Sequence, residues 1–362
     1  MNIISRITYF LDDFAPYLIL SAVTLIAFIL AVFKIYQSKI ESKQKKLLIV
    51  TSTLILSLVF IFVVAEAYFR YIYDVPDGLG FLKVSKKWTE RHVVHNNYFY
   101  RDRDFETEKK AGTTRIGILG DSIAYGGGIE NPQDRFSNIL EKRLKDANYN
   151  VEVYNLGRPG YDTEVEVNEF EKVRHLNFDY IIWQYFLNDI QPSIKSTGTR
   201  IIETNRDLPG YITFFTNKSY FLDFVYWKVT PTHRKTFTQL RSADIAQYSN
   251  QEAVKKHKDD IYNFIQSFKG SNTKIVTIIF PSLLLIGPDY PASHIHQMMS
   301  DYFRQNGVDT TDLFEDFRSL DKETLMASNF DPHPNELAHA IVAEKLFNEI
   351  SPILATSSPS VR

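Results

Sequence analysis

The chain has 362 residues with 41 Lys and Arg against 43 Asp and Glu, a formal net charge of −2, so no basic surplus speaks for nucleic acid as a partner. It has no cysteine, which excludes disulfides, thiolate metal sites and a cysteine nucleophile. The length suffices for two domains, and 27 Phe with 21 Tyr supply ample apolar material.

Residues 14–33 (FAPYLILSAVTLIAFILAVF) carry no charge across twenty positions, and residues 47–65 (LLIVTSTLILSLVFIFVVA) carry none across nineteen. Each run can cross a hydrocarbon layer of ~30 Å at ~1.5 Å rise per residue. The first is longer than the ~7–15 apolar residues of a signal peptide, and no small-x-small cleavage site precedes the lysines after it. Two spanning helices are therefore predicted, within a membrane anchor over residues 1–70. The loop between them, 34–46 (KIYQSKIESKQKK), has five lysines, whereas the thirteen residues before the first run have only Arg6. The positive-inside rule places that loop in the cytoplasm and everything after about Tyr68 outside, on an inner or cytoplasmic membrane. Arg70 and four basic residues at 83–91 pull weakly the other way. Apart from Glu66 at the outer end, the spans hold no ionisable residue to mark a pathway, so they read as anchors.

Residues 71–111, ending in the charged run RDRDFETEKKAG, read as an extracytoplasmic tether. From about residue 112 the pattern changes. Short apolar runs at 115–119, 151–156, 179–185, 274–280 and 308–313 alternate with helical periodicity at 135–147, 163–176, 252–268, 293–306 and 335–350. This predicts a three-layer α/β/α domain over 112–355 with a mostly parallel, five-stranded sheet. In such sheets ligands bind beyond the carboxyl ends of the strands, near the switch in strand order. Gly120-Asp121-Ser122 follows the first strand, NLGRPGYDT (155–163) the second, FLNDI (186–190) the third, and FDPHPNELAH (330–339) opens the last helix. The interval 191–250 fits no strand–helix unit. A structureless loop of that size is improbable, so helices are expected there, forming a cap, a membrane-facing surface or surface padding.

A serine hydroxyl needs a positioned base, commonly histidine oriented by a carboxylate, and the oxyanion formed on attack needs fixed donors. Candidates for every role lie in these four loops. Their order, GDS, a glycine, ND and DPHPN, resembles the SGNH (GDSL-type) hydrolase family over about residues 112–355, and the stretch leading into GDS is similar to membrane-anchored envelope members. The resemblance implies a flavodoxin-like SGNH fold with Ser122 as nucleophile, His333 as general base and Asp331 as its orienting carboxylate. It implies an oxyanion hole from the Ser122 and Gly160 backbone N–H groups and the Asn188 side chain. Gly160 is preferred to Gly157 because PGYDT matches the family's second block, and Asp121 is a supporting residue that fixes its loop. Two departures stand out: Phe330 occupies the usual aspartate position three before the histidine, leaving Asp331 two before it, and the third block reads Phe186-Leu187-Asn188-Asp189 without its usual glycine.

Other features have plainer readings. The string GGGI at 126–129 lacks the Gly-Lys-Ser/Thr of a phosphate loop, HIH at 294–296 lacks companion ligands for a metal, and His339 reads as structural. No cofactor or metal is expected. The resemblance thus implies an outward-facing, membrane-integrated serine esterase working through an acyl-Ser122 intermediate, its substrate an acylated glycan bearing O-acetyl groups. An O-acyltransferase, a lipid esterase or thioesterase, and an inactive envelope scaffold are the alternatives; protein partners are unspecified.

Overall fold

The structure, a computed structural model, describes residues 3–190 and 208–357. It divides into two compact units, one of Met1–Asp74, Leu82–Val84 and Asp207–Thr230 and one of the remainder.

In the first unit, helices Ile3–Gln37 and Ser42–Tyr71 pack along one another. Their apolar side chains, among them Ile19, Ile29, Phe33, Leu54 and Phe60, point outward and are exposed. Both helices are long and apolar enough to cross a membrane. The part of the interval 191–250 that falls in this unit forms two further helices, Gly210–Lys218 and Tyr220–Val229; residues 191–207 lie outside the described residues. Glu66, completely buried, caps the second of these helices. Its carboxylate accepts the Ser219 hydroxyl at 2.5 Å and the Tyr220 and Phe221 N–H groups at 3.1 and 3.0 Å. Arg70 holds Glu66 and Asp13 at 2.9 and 2.7 Å and donates to the Lys218 carbonyl at 3.0 Å. A buried carboxylate is stable only where such donors and a cation surround it.

The second unit is built on five parallel strands: β1 Thr114–Leu119, β2 Val151–Asn155, β3 Tyr180–Tyr185, β4 Lys274–Ile279 and β5 Asp309–Asp312. All pairings are parallel, as the alternation of strands and helices predicted, and the order is β2-β1-β3-β4-β5. Because β1 and β3 are neighbours, the strand order reverses there, and the chain leaves both strands at the same edge. Period-two alternation divides the side chains between two cores. Ile116, Ile118, Tyr180 and Ile182 face helices Phe136–Asp146 and Glu336–Ser357. Ile181, Trp183 and Tyr185 face helices Thr163–Val173, Gln251–Gln266 and Ser293–Gln305. A two-stranded antiparallel hairpin, β6 Met326–Ser328 and β7 Asp331–Pro334, precedes the last helix.

The stretch read as a tether is packed where it belongs to this unit. Trp88, Tyr100 and Phe105 are buried, and each charge of the RDRD run has a partner. Arg101 donates to the carbonyls of Gly126 (2.8 Å), Ile129 (2.5 Å) and His92 (2.9 Å). Asp102 accepts the Asn155 N–H at 2.7 Å, Arg103 forms a two-pronged pair with Glu141 at 2.7 and 2.8 Å, and Asp104 accepts the Asn97 N–H at 2.9 Å. A run of alternating charge ordinarily reads as solvated. Here the carbonyls of the loop after β1 need buried donors, and Arg101 supplies several from one side chain. Replacing it with Met strands those carbonyls. Arg101→Met is expected to cost about 2–4 kcal/mol, seen as a clear drop in Tm of the detergent-solubilised chain; a Tm unchanged within error contradicts that role.

Candidate active site

Ser122 opens the short helix Ser122–Tyr125 immediately after β1. Two backbone amides of this turn, Asp121 N–H and Ala124 N–H, donate to Gln184 Oε1 from β3 at 3.2 and 3.1 Å, and Asp121 Oδ1 accepts the Ile123 N–H at 2.8 Å. The turn is therefore tied to the neighbouring strand at both ends. A side chain at Gly120 would put its Cβ 2.4 Å from Gln184 Oε1, so that position must be glycine for the bond to form.

His333 lies on β7, and its Nε2 is 2.8 Å from Ser122 Oγ. Its Nδ1 is 2.5 Å from Asp331 Oδ1. In a strand, residues i and i+2 face the same side, which is why an aspartate two positions before the histidine reaches its ring. Asp331 also accepts the His333 backbone N–H at 3.1 Å. Phe330, in the family's usual aspartate position, packs its ring 5.4 Å from that of His233 instead. The glycine string is explained by this ring. A Cβ at Gly127 would lie 3.1 Å from His333 Cγ, and one at Gly128, whose φ is +84°, would lie 2.4 Å from Ala327 Cβ. Only bare backbone lets the loop pass beneath the histidine and its hairpin.

The cavity in front of Ser122 is lined by Asn188, Phe186, Phe237, Arg241, Leu283 and His333, among others. Asn188 sits in the turn Leu187–Ile190 after β3, as expected of that block, and Asp189 beside it accepts the Phe186 N–H at 2.9 Å. Gly160 is exposed, with φ +73° and open space where a Cβ would sit, and does not line the cavity. The N–H of Gly157, the other glycine of that loop, already donates to Asn155 Oδ1 at 2.9 Å. The structure thus brings Ser122, His333, Asp331, Asp121 and Asn188 together, while Gly160 is exposed and does not line the cavity.

The electrostatics follow from burial and nearby charge. Burial pushes the His333 imidazole toward neutrality, but the carboxylates of Asp331 and Asp121 outweigh it, with Arg241 opposing them, and the pKa ends above the ordinary 6.5. Burial raises the pKa of Asp121, with the Ile123 N–H, His333, Arg241 and Asn188 drawing it back. Burial likewise raises Glu166 and Asp189 well above ordinary carboxyl values, and their mutual repulsion and that of Asp121 adds to it. His339 has its pKa pushed down to about 3 by burial and accepts the Phe136 N–H at 3.1 Å, a structural role. His296 is bonded to Asp312 at 2.8 Å and to Tyr290 at 3.2 Å.

Gln184, Arg241 and Phe237 were not singled out from the sequence. A glutamine inside the buried run DYIIWQY was a readable signal, since a polar side chain there must have partners. Arg241 and Phe237 lie on helix Thr232–Gln247, and nothing in that polar stretch distinguishes them.

Among solved structures, the fold is similar to TesA (13% identity, covering 66% of this chain and 99% of that one, TM-score 0.43). It is also similar to a lipase/acylhydrolase from Enterococcus faecalis (14%, 66% and 95%, 0.40). A two-domain esterase active on acetylated mannans matches at 11% identity over 74% of this chain and 52% of that one, with a TM-score of 0.42. No curated protein matches in sequence. The profile of the GDSL-like lipase/acylhydrolase family matches residues 118–341. Since that match takes in more than half of the chain, from the first strand into the last helix, the chain belongs to the GDSL-like lipase/acylhydrolase family.

Proposed function

We propose that this protein is a membrane-anchored serine esterase that removes small acyl groups through an acyl-Ser122 intermediate. The observation that carries the reading is the continuous line Ser122 Oγ, His333 Nε2, His333 Nδ1, Asp331 Oδ1, with links of 2.8 and 2.5 Å, opening into a cavity. In this reading Ser122 Oγ attacks the ester carbonyl while His333 Nε2 takes its proton. Asp331 holds the Nδ1–H tautomer and balances the imidazolium. The proton then passes to the departing alcohol. Water, deprotonated by the same nitrogen, releases the acid and restores Ser122. The Ser122 N–H, the Asn188 amide and the Gly160 N–H are the assigned oxyanion donors.

The cavity offers about 60 Å³ of free volume. A single water needs ~10–15 Å³ on the same measure, so the space has room for an acetyl-sized group. The alcohol half is assigned to an envelope or extracellular polysaccharide, because the lysine-rich loop between the two apolar helices favours an outward-facing domain. On this topology the helices Gly210–Lys218 and Tyr220–Val229, bonded to Glu66 and Arg70 at the outer end of the span, lie at the lipid–water interface. Their exposed Tyr211, Phe214 and Phe215 fit the aromatic belt found there.

With p-nitrophenyl acetate and the full chain in detergent, Ser122→Ala is expected to lower kcat/KM by at least about 10³-fold; turnover equal to the parent's refutes Ser122 as nucleophile. Because His333 must be neutral to accept the proton, kcat/KM should rise with pH, its midpoint lying above 6.5. Asp331→Asn removes a carboxylate that raises this pKa, so the midpoint should move down while the rate falls by about 10³–10⁴-fold. A profile unmoved by that substitution speaks against Asp331. For topology, the cysteine-free chain allows clean labelling. A membrane-impermeant maleimide should label Tyr262→Cys in intact cells but Gln37→Cys only after permeabilisation; the reverse pattern overturns the outward orientation.

A further inference from the structure

The cavity wall carries a cation that is not part of the Ser122–His333–Asp331 line. Arg241 reaches the cavity from helix Thr232–Gln247, alongside Phe186, Asn188 and His333. Its guanidinium carbon lies 4.8 Å from the centroid of the Phe186 ring, and its Nη2 is 3.1 Å from Asp244 Oδ2. Its Nε is buried without a hydrogen-bond partner. A guanidinium presents five N–H donors in a rigid planar fork. The Phe186 ring lies against the guanidinium, and Asp244 pairs with its Nη2.

The charge also works against the chemistry. His333 must become imidazolium as Ser122 attacks, and Arg241 is the cation that opposes its protonation. A guanidinium on the cavity wall that opposes protonation of the histidine is understandable if an anionic part of the substrate neutralises it. The acyl half does not supply the match, because the acetyl group proposed for it is uncharged. The anion must then sit on the alcohol half.

We propose that Arg241 is a specificity residue that binds a carboxylate on the alcohol side of the substrate ester, so that the natural substrates are acyl esters of an anionic, carboxylate-bearing alcohol such as an acidic sugar unit. The inference rests on the reading of Ser122 as nucleophile. Its geometry is that of a planar fork meeting a planar carboxylate, the arrangement arginine favours over lysine.

The test compares two acetyl esters with similar leaving groups, 4-acetoxybenzoate and the neutral 4-acetoxybenzamide, on the full chain in detergent. The quantity read is the ratio of their kcat/KM values, which cancels differences in folding yield between variants. Arg241→Gln is expected to lower the ratio of carboxylate to amide by about 10- to 100-fold, mainly through KM for the carboxylate. Arg241→Lys, which keeps the charge but loses the fork, should fall between the two. An equal ratio in parent and Arg241→Gln overturns the inference, and so does a loss confined to kcat and shared by both esters, the signature of a merely structural side chain. Ser122→Ala run alongside separates the two levels. If it abolishes turnover of both esters while the ratio ignores Arg241, only the anion subsite fails. If it leaves turnover unchanged, the nucleophile fails and the subsite with it.

Discussion

The pair formed by His333 and Asp331, with Nδ1 and Oδ1 2.5 Å apart, places demands that much of the catalytic unit meets. The carboxylate is buried, and a buried charge is tolerated only where it is bonded and backed by rigid structure. The hairpin β6–β7 supplies the rigidity and puts both side chains on one face of a strand. Residues 76–78 close over Asp331 from outside: Ser328 donates to the Pro76 carbonyl at 3.0 Å, and a Cβ at Gly78 would meet Asp331 Oδ1 at 2.8 Å. From beneath, the Gly126–Gly128 loop closes the gap, and Arg101 bonds the carbonyls of Gly126 and of Ile129 just after it. The segment before the sheet is thus part of the housing of the histidine.

The opposite wall is built around Ser122 by a different device. Gln184 belongs to β3, which neighbours β1, and its Oε1 holds two amides of the turn that carries Ser122. Strand pairing fixes the strand that carries Gln184, so the turn inherits the rigidity of the sheet. Behind it lie Asp121, Glu166 and Asp189, all buried, and burial raises the pKa of each. Such preorganisation is what an ester-hydrolysing site requires, and it agrees with the family to which the chain belongs.

The apolar unit obeys its own constraint. Glu66 stands at the end of an apolar helix, where an unpaired carboxylate is costly. Ser219, two backbone amides and Arg70 surround it, so the helices at Gly210–Val229 are joined to the long pair by polar contacts. Stacking of Phe69 on Phe224, with centroids 4.4 Å apart, adds an apolar contact at the same place.

Much was legible in the residues themselves. Strand and helix periods of two and 3.6 are local properties, so the five strands, their flanking helices and the two apolar runs could be read without coordinates. Ser122, Asn188, Asp331 and His333 could be grouped because each follows or precedes a strand or helix at the edge where parallel sheets gather their loops. What the sequence left undecided depends on partners distant in the chain. The partners of the RDRD charges, the glycine-only passage under His333, the service of Gln184 and the arrival of Arg241 at the cavity depend on contacts across tens to hundreds of positions. The split of 208–247 between two units has the same origin. Periodicity determines which face of an element is apolar; only tertiary packing decides what that face, or a lone polar side chain on it, meets.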